Sequence, residues 1–442
     1  MPFFRRLLLT MGILVVLGLL FHLEENWRGR RSWETWKASQ EATGHTYAPP
    51  VLQEGPLRDG DDFAAAPVVK DGRKHWENVS SLFAALPQPR MGNWAQGEAT
   101  DFAGLDRQGL DLIQALAPLG GMLDSLAEAA GRPSCNFPRG SGIPADLHPH
   151  IGFLATMARV LHLRAEARVH AGLPQGALED IVTLLRISRH LQRQPILLAV
   201  HVGRMEAEAA LQPIWEGLHA HAWTPKQLSL LQEELASMDL PSGLRACQGE
   251  RWLLAHAAQE LDAHPWTLLG RTAWAPSGFW RRGLFCLLPR GWAYQFLAAR
   301  DRAEAQVQAA VEGPGHRITP LKAKDLRRIP LPYRWAGGLA GDGARVALEH
   351  LQATARVQVG LDQARVACAL ERFRLTRGAY PRTLEELVPE CLTQVPHDLL
   401  TGALLSYTAQ DGGFRLGATG WMDPDEPESQ DPAKAWTWVS GR

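Results

Sequence analysis

What the 442-residue chain lacks narrows its chemistry before any fold is considered. It has five cysteines, Cys135, Cys247, Cys286, Cys368 and Cys391, and no two of them stand as a Cys-x-x-Cys pair. That excludes a zinc ribbon and a thioredoxin-like redox motif, and the odd count leaves at least one thiol unpaired even in an oxidising compartment. No His-Glu-x-x-His, Gly-x-Ser-x-Gly or P-loop string occurs, so the local signatures of zinc peptidases, α/β-hydrolases and P-loop NTPases are missing. Gly337, Gly338, Gly341 and Gly343 lead into a predicted helix but lack the lysine and the preceding strand of a phosphate cradle. An excess of one charge is also absent: 46 Lys and Arg against 47 Asp and Glu give a net charge of −1, which argues against nucleic acid as a partner.

One long apolar run is present. Arg5 and Arg6 lead into Leu7–Phe21, which is interrupted only by Thr10, Gly12 and Gly18. A spanning helix needs roughly 20 apolar residues, so residues 7–23 are at the short end for a span. The run leaves through Phe21, His22, Leu23, Glu24, Glu25 and Asn26, with no small-residue cleavage site, and therefore reads as an uncleaved anchor held in a lipid bilayer. Arg28, Arg30, Arg31 and Lys37 behind the run compete with Arg5 and Arg6 under the positive-inside rule. A short basic flank fits an export signal, and on that ground the body is expected outside the cytoplasm. Trp27, Trp33 and Trp36 among charges suit a juxtamembrane helix at headgroup level.

With 45 % hydrophobic residues, the rest of the chain can bury one or two cores. Residues 47–90 contain Pro49, Pro50, Pro56, Pro67, Pro87 and Pro89 and read as a linker or irregular surface segment. Leu105, Leu112, Leu116, Leu119, Leu123 and Leu126 recur at helical spacing, predicting a helix over 105–130 despite Pro118. Further helices are predicted over 153–171, 177–191, 196–218, 225–237, 244–262, 298–312 and 344–376, with Thr224 capping the one that begins at Pro225. The pair 153–171 and 177–191 looks like one tetratricopeptide-type hairpin, with small Ala165 and Ala177 where the helices approach. No further copies recur at a fixed period, so the expectation is a bundle and not a solenoid. Charge is unevenly spread: residues 271–334 carry twelve Lys and Arg against four acids, and 409–432 carry six acids against Arg415. Within 265–297 aromatics such as Trp266, Trp280 and Trp292 alternate with Arg271, Arg281, Arg282 and Arg290, a composition suited to a membrane interface, a docking surface or a core segment with snorkelling arginines.

Two constellations carry candidate chemistry. His162, Glu166 and His170 stand at i, i+4 and i+8, on one face of a helix, as metal ligands would. Glu216-x-x-His219 has the spacing of di-iron carboxylate bundles, although only one copy occurs where two and further glutamates are needed. Surface or capped histidines account for both sets equally well.

The tail reads Ala369-Leu-Glu-Arg-Phe-Arg-Leu375, Gly378, Tyr380-Pro381, Leu384-Glu-Glu-Leu-Val-Pro389, Val395-Pro396, Asp398, Thr401-Gly402, Leu405 and Tyr407. As physics this is a helix stopped at Gly378, a short helix capped by Thr383 and a hairpin with strands 404–408 and 413–416 around Gln410-Asp411-Gly412. Over residues 366–425 the string resembles the C-terminal part of type II secretion major pseudopilins. It is similar also to large membrane-anchored bacterial proteins that carry such a tail behind a helical body. The resemblance implies a small α+β domain, an envelope location and a calcium-holding loop, for which Asp423, Asp425 and Glu426 offer the hard oxygen ligands. It departs from the family in that Gly18 lies inside the apolar run and Glu24 beyond it, where a prepilin-peptidase site would need a glycine ahead of the run.

The resulting expectation is a mainly α protein. Residues 1–25 form a transmembrane anchor, 26–104 a juxtamembrane helix and linker, 105–343 a helical body with one TPR-like hairpin, and 344–442 a long helix with a small pseudopilin-like sheet. The expected role is non-enzymatic: a scaffold or interaction module on the outer face of a bacterial inner membrane, engaging an envelope protein partner and needing no cofactor beyond the calcium hypothesis. The alternative is an envelope hydrolase or metalloenzyme working through the bundle His and Glu residues.

Overall fold

The computed structural model describes residues 2–49, 58–86, 89–102, 109–137, 148–246, 249–263, 288–311, 317–322, 326, 330, 333, 343–410, 412–421 and 436–440. The protein is mainly helical, with one small sheet near the C-terminus. It divides into two compact units, each built from separated stretches of chain: residues 1–50, 248–310 and 321–351, and residues 51–247, 311–320 and 352–442.

The first unit is organised on α1 (Pro2–Ala42), in which the predicted anchor and the predicted juxtamembrane helix are one uninterrupted helix of 41 residues. At about 1.5 Å per residue it is roughly 60 Å long. Its first half is apolar all round, with a mean hydropathy of 2.2 over 18 residues, and none of that window is buried against protein. Its second half is amphipathic and packs on α12 (Arg290–Ala310), with α11 (Gly249–Ala263) against α12. Trp33, Tyr47, Leu254, Leu261, Tyr294, Phe296 and Leu297 form the core there. Of the aromatic and basic segment 265–297, residues 264–287 lie outside the described residues, and the part that begins α12 joins this core while Trp292 donates to Glu25.

Where α1 and α12 cross, glycine meets glycine. A Cβ on Gly29 would run into the backbone of Gly291, and one on Gly291 into the carbonyl of Glu25; Asn26 accepts from the Gly291 N–H at 2.9 Å. Backbones that close leave no volume for a methyl group. Gly291→Ala is expected to destabilise this unit by about 1–3 kcal/mol as the helices are wedged apart. Thermal melting of the detergent-solubilised chain measures it, and an unchanged melting curve would show that the crossing has room to spare.

In the second unit, helices α6 (His148–His170), α7 (Pro174–Gln192) and α8 (Leu197–His219) pack mutually. Leu154, Met157, Leu161, Leu184, Leu185, Leu211 and Ile214, all buried, lie on their inward faces. α9 (Pro225–Ala236) starts at the predicted cap: Thr224 Oγ1 accepts from Gln227 N, and the Gln227 side chain returns to the Thr224 N–H at 2.9 Å. Three expectations are corrected. The 47–90 segment is not wholly irregular, because α2 (Pro67–Lys70) and α3 (Gly72–Ala85) occupy the proline-free interval between Pro67 and Pro87. The helix expected over 105–130 is split into α4 (Leu110–Ala115), a 3-10 turn at Ala117–Leu119 and α5 (Gly120–Ala130). Pro118, which cannot donate to the helical ladder and crowds the preceding turn, accounts for the interruption. The helix expected over 244–262 begins earlier, at Leu240, and its described residues are α10 (Leu240–Ala246) and α11.

The tail follows α13 (Gly343–Arg377), which Gly378 ends at a positive φ of 83°. A 3-10 turn at Leu384–Leu387 carries a Thr383/Glu386 capping box. The sheet is antiparallel in the order β1 (Ser406–Gln410), β2 (Gly413–Ala418), β3 (Trp436–Ser440), so a third strand joins the expected hairpin. Leu416 pairs with Trp438, and both side chains are fully buried.

Candidate functional site

The helical register that places His162, Glu166 and His170 on one face of α6 also turns that face toward α8, where Glu216 stands. A short turn completes the arrangement. Bridges between Arg90 and Asp101 and between Asn93 and Glu98 fold residues 90–101 back on themselves and aim the Thr100 N–H at Glu216 Oε1, 2.7 Å away. Gly92 makes this fit possible, because a Cβ there would strike the Gln212 amide and the Glu98 carbonyl.

Glu216 is richly satisfied. It accepts from Thr100 N, from Gln212 Nε2 at 2.8 Å and from His170 Nε2 at 2.9 Å, and Phe102 packs on the His170 ring at 4.7 Å between centroids. Burial pushes its pKa up, but the hydrogen bonds from His170, Gln212 and Thr100 outweigh burial and hold it below the ordinary glutamate value. Glu166 is its opposite. Its side chain is 0 % exposed and neither oxygen has a hydrogen-bond partner among the described residues. Burial, and then the charge on Glu216, drive its pKa well above the ordinary glutamate value. His162 Nε2 lies 3.4 Å from Glu166 Oε1, and His162 Nδ1 lies 2.7 Å from the Ala209 carbonyl oxygen. Burial lowers the His162 pKa, so the ring is neutral, with its proton on Nδ1 for Ala209 and a lone pair on Nε2 facing Glu166.

The site thus pairs two carboxyl groups whose environments drive their pKa values apart, Glu166 upward and Glu216 downward. His170, about 30 % exposed, is the member that reaches solvent. Of the five residues with candidate spacing, four meet here. The fifth, His219, stacks on Trp215 with rings 5.1 Å apart and is exposed. Among the described residues no group of three or more His, Cys, Asp or Glu side chains is arranged to hold a metal ion. Asp423, Asp425 and Glu426, the predicted calcium ligands, lie outside the described residues, as do Cys247, Cys286 and most of the glycine-rich 337–343 stretch. Cys135, Cys368 and Cys391 are free thiols, and burial pushes all three pKa values up.

The sheet docks on this same unit. Trp215 Nε1 donates to the Val439 carbonyl at 2.7 Å, Trp94 packs on Trp438 at 5.4 Å, and Gly360 leaves space for the Trp94 ring. Tyr380 donates to Glu371 at 2.9 Å, Tyr407 donates to the Pro381 carbonyl at 2.8 Å, and both rings lie against Phe414. Asp398 accepts from the backbone of Leu400, Thr401 and Thr419, stapling the loop before the sheet.

Sequence reasoning missed Thr100 and Gln212 as donors to Glu216. It also missed Glu206, a buried acid on α8 whose two oxygens have no partner among the described residues. The signal for Glu206 was available: it falls on the stripe of Gly203, Ala207, Ala210 and Ile214, an acid on an otherwise apolar face. Compared with known proteins, the chain matches no family model, no curated protein and no solved structure.

Proposed function

We propose that the protein is a single-pass anchor and scaffold of the bacterial inner membrane, held in the bilayer by residues 7–23, with its helical body on the periplasmic side engaging an envelope protein partner. The observation that carries this reading is α1 itself. Leu7–Leu20 are exposed, with side chains such as Leu14 at 62 % exposure, and protein contact begins at Phe21, whose ring meets Trp292, beyond which the same unbroken helix is locked into a core through Trp33. A solvated helix of that composition is disfavoured by about 25 cal/mol for every Å² of apolar surface left in water, and lipid removes that penalty. The α6–α7 pair then serves as a TPR-like hairpin for a partner, and the α13–sheet tail as a pseudopilin-like module whose acidic loop at Asp423, Asp425 and Glu426 takes calcium weakly.

Membrane fractions washed with alkaline carbonate test the anchor. The full chain is expected in the pellet and a chain lacking residues 2–23 in the supernatant; release of the full chain by carbonate would overturn the reading. Titration calorimetry with millimolar calcium tests the acidic loop, where absence of heat ends that part. A second reading, a hydrolase acting through Glu166, Glu216 and His170, is favoured by the opposite directions in which the pKa values of Glu166 and Glu216 are driven. Stoichiometric transition metal in the purified protein, lost on His162→Ala, would turn it into a metalloenzyme.

A further inference from the structure

One face of α1 just beyond the apolar run forms, with α12, an open groove of about 380 Å³. Arg28, Arg31, Ser32, Thr35, Trp36 and Ser39 recur at helical spacing along it, and Arg302 of α12 closes the far side. The lining differs from the other cations of α1 beyond the apolar run, which are neutralised in place: Arg30 pairs with Glu34 at 2.8 Å and Lys37 with Glu41 at 3.7 Å. Arg28 is tied to Glu25 and donates to Tyr333. Arg31 makes no ion pair among the described residues and rests over the exposed Trp27 ring at 5.2 Å, and Arg302 lies over Trp36 at 5.0 Å. No carboxylate lines the groove, and the hydroxyls of Ser32 and Thr35 make no hydrogen bond among the described residues. Guanidinium groups resting over aromatic rings with hydroxyl donors between them are a donor set for phosphate oxygens.

Position along α1 names the source of that phosphate. At about 1.5 Å per residue, Arg28 and Arg31 stand roughly 8 and 12 Å past Leu23, the depth of the polar layer outside a hydrocarbon core. We propose that the groove between α1 and α12 is a binding site for the phosphate of an anionic lipid headgroup, with Arg31 and Arg302 as the cationic ligands and Ser32 and Thr35 as donors. This inference rests on the membrane reading of α1, and the test separates the two.

The full chain, purified in neutral detergent, is titrated with phosphatidylglycerol or with phosphatidylcholine, and bound lipid is counted by native mass spectrometry. Phosphatidylglycerol is expected to bind preferentially, and Arg31→Gln and Arg302→Gln are each expected to weaken it about fivefold, the factor for one cation at an anionic surface. Arg30→Gln, at the same height but outside the groove, is the control and is expected to leave binding unchanged. Equal losses for Arg30→Gln and Arg31→Gln, equal binding of the two lipids, or displacement of the lipid by millimolar inorganic phosphate would overturn the proposal. Carbonate extraction of the same membranes reports separately on the anchor, so a chain that stays in the pellet but shows no lipid preference refutes the groove alone.

Discussion

Replacing Asp180 by Ala should destabilise the helical body by about 3–5 kcal/mol, the range for stripping one partner from a buried ion pair. Asp180 on α7 is about 1 % exposed and faces two arginines of α6. Arg164 grips it as a fork, with Nε 3.0 Å from Oδ2 and Nη2 2.5 Å from Oδ1, and Arg168 Nη1 reaches Oδ2 at 2.8 Å. Arg168 also donates to the Gly176 carbonyl at 2.8 Å, so the triad pins the first turn of α7 to α6. Without the carboxylate, the buried Arg164 guanidinium has no counter-charge, and the penalty for a desolvated cation decides the outcome. Removing the buried pair with apolar residues, Arg164→Met with Asp180→Leu, should cost clearly less than Asp180→Ala alone, since the buried guanidinium goes with its partner and the partly exposed Arg168 keeps the Gly176 carbonyl. Urea unfolding followed by circular dichroism measures both variants against the parent chain. A loss under about 1 kcal/mol for Asp180→Ala, the range of an exposed pair, would mean that water reaches Arg164 and that the hairpin does not depend on it.

The same hairpin marks where reading the chain as a string succeeds and stops. Its two helices are written in local signals: apolar periodicity, Gly172 at a φ of 72°, and Pro174 at the first helical position. The Thr224 and Thr383 caps and the apolar run of α1 are local as well, and each is found where expected. The spacing of His162, Glu166 and His170 fixes a shared face on α6, yet only packing decides that this face meets Glu216, 46 residues beyond His170. The Gly29–Gly291 crossing has no local signature at all, because each glycine is explained by the other. β3 has weaker local signals: Trp436, Trp438 and Ser440 alternate with Thr437 and Val439 over only five residues, and its partner β2 lies roughly 20 residues earlier in the chain. In the tail, the order Tyr380, Pro381, Asp398, Tyr407 carried the resemblance, and packing gives three of these four side chains a role in holding the sheet: Tyr380 on Glu371, Asp398 on its loop, Tyr407 on the Pro381 carbonyl.

The two buried acids make the body less stable as pH rises, and the sign follows from their environments. An unfolded glutamate loses its proton near pH 4.3, whereas Glu206, pushed up by burial alone, and Glu166, pushed up by burial and the Glu216 charge, keep theirs to well above that. Between those limits the folded chain binds more protons than the unfolded one, so stability is full at low pH and is lost as pH rises through the folded values. His190 acts in the opposite sense. Stacked on Phe63 and buried, its pKa is lowered to about 4, so it removes stability only as pH falls below about 6.5. From pH 7.5 to 8.5 the histidines are essentially neutral in both states, and because burial also raises Glu304 and Asp362 to about 7, the share of Glu206 in the slope is the difference between wild type and Glu206→Gln. Glu206→Gln should flatten that slope and raise stability at pH 8.5 by more than about 1.4 kcal/mol, the equivalent of one pKa unit, while changing little at pH 4. Glu206→Met removes the two unpartnered oxygens altogether and should stabilise at every pH, by about 1–3 kcal/mol. Melting curves of the detergent-solubilised protein across this range test both. A Glu206→Gln variant with the wild-type slope would place an ionised carboxylate inside α8, and that in turn would require a cation beside it.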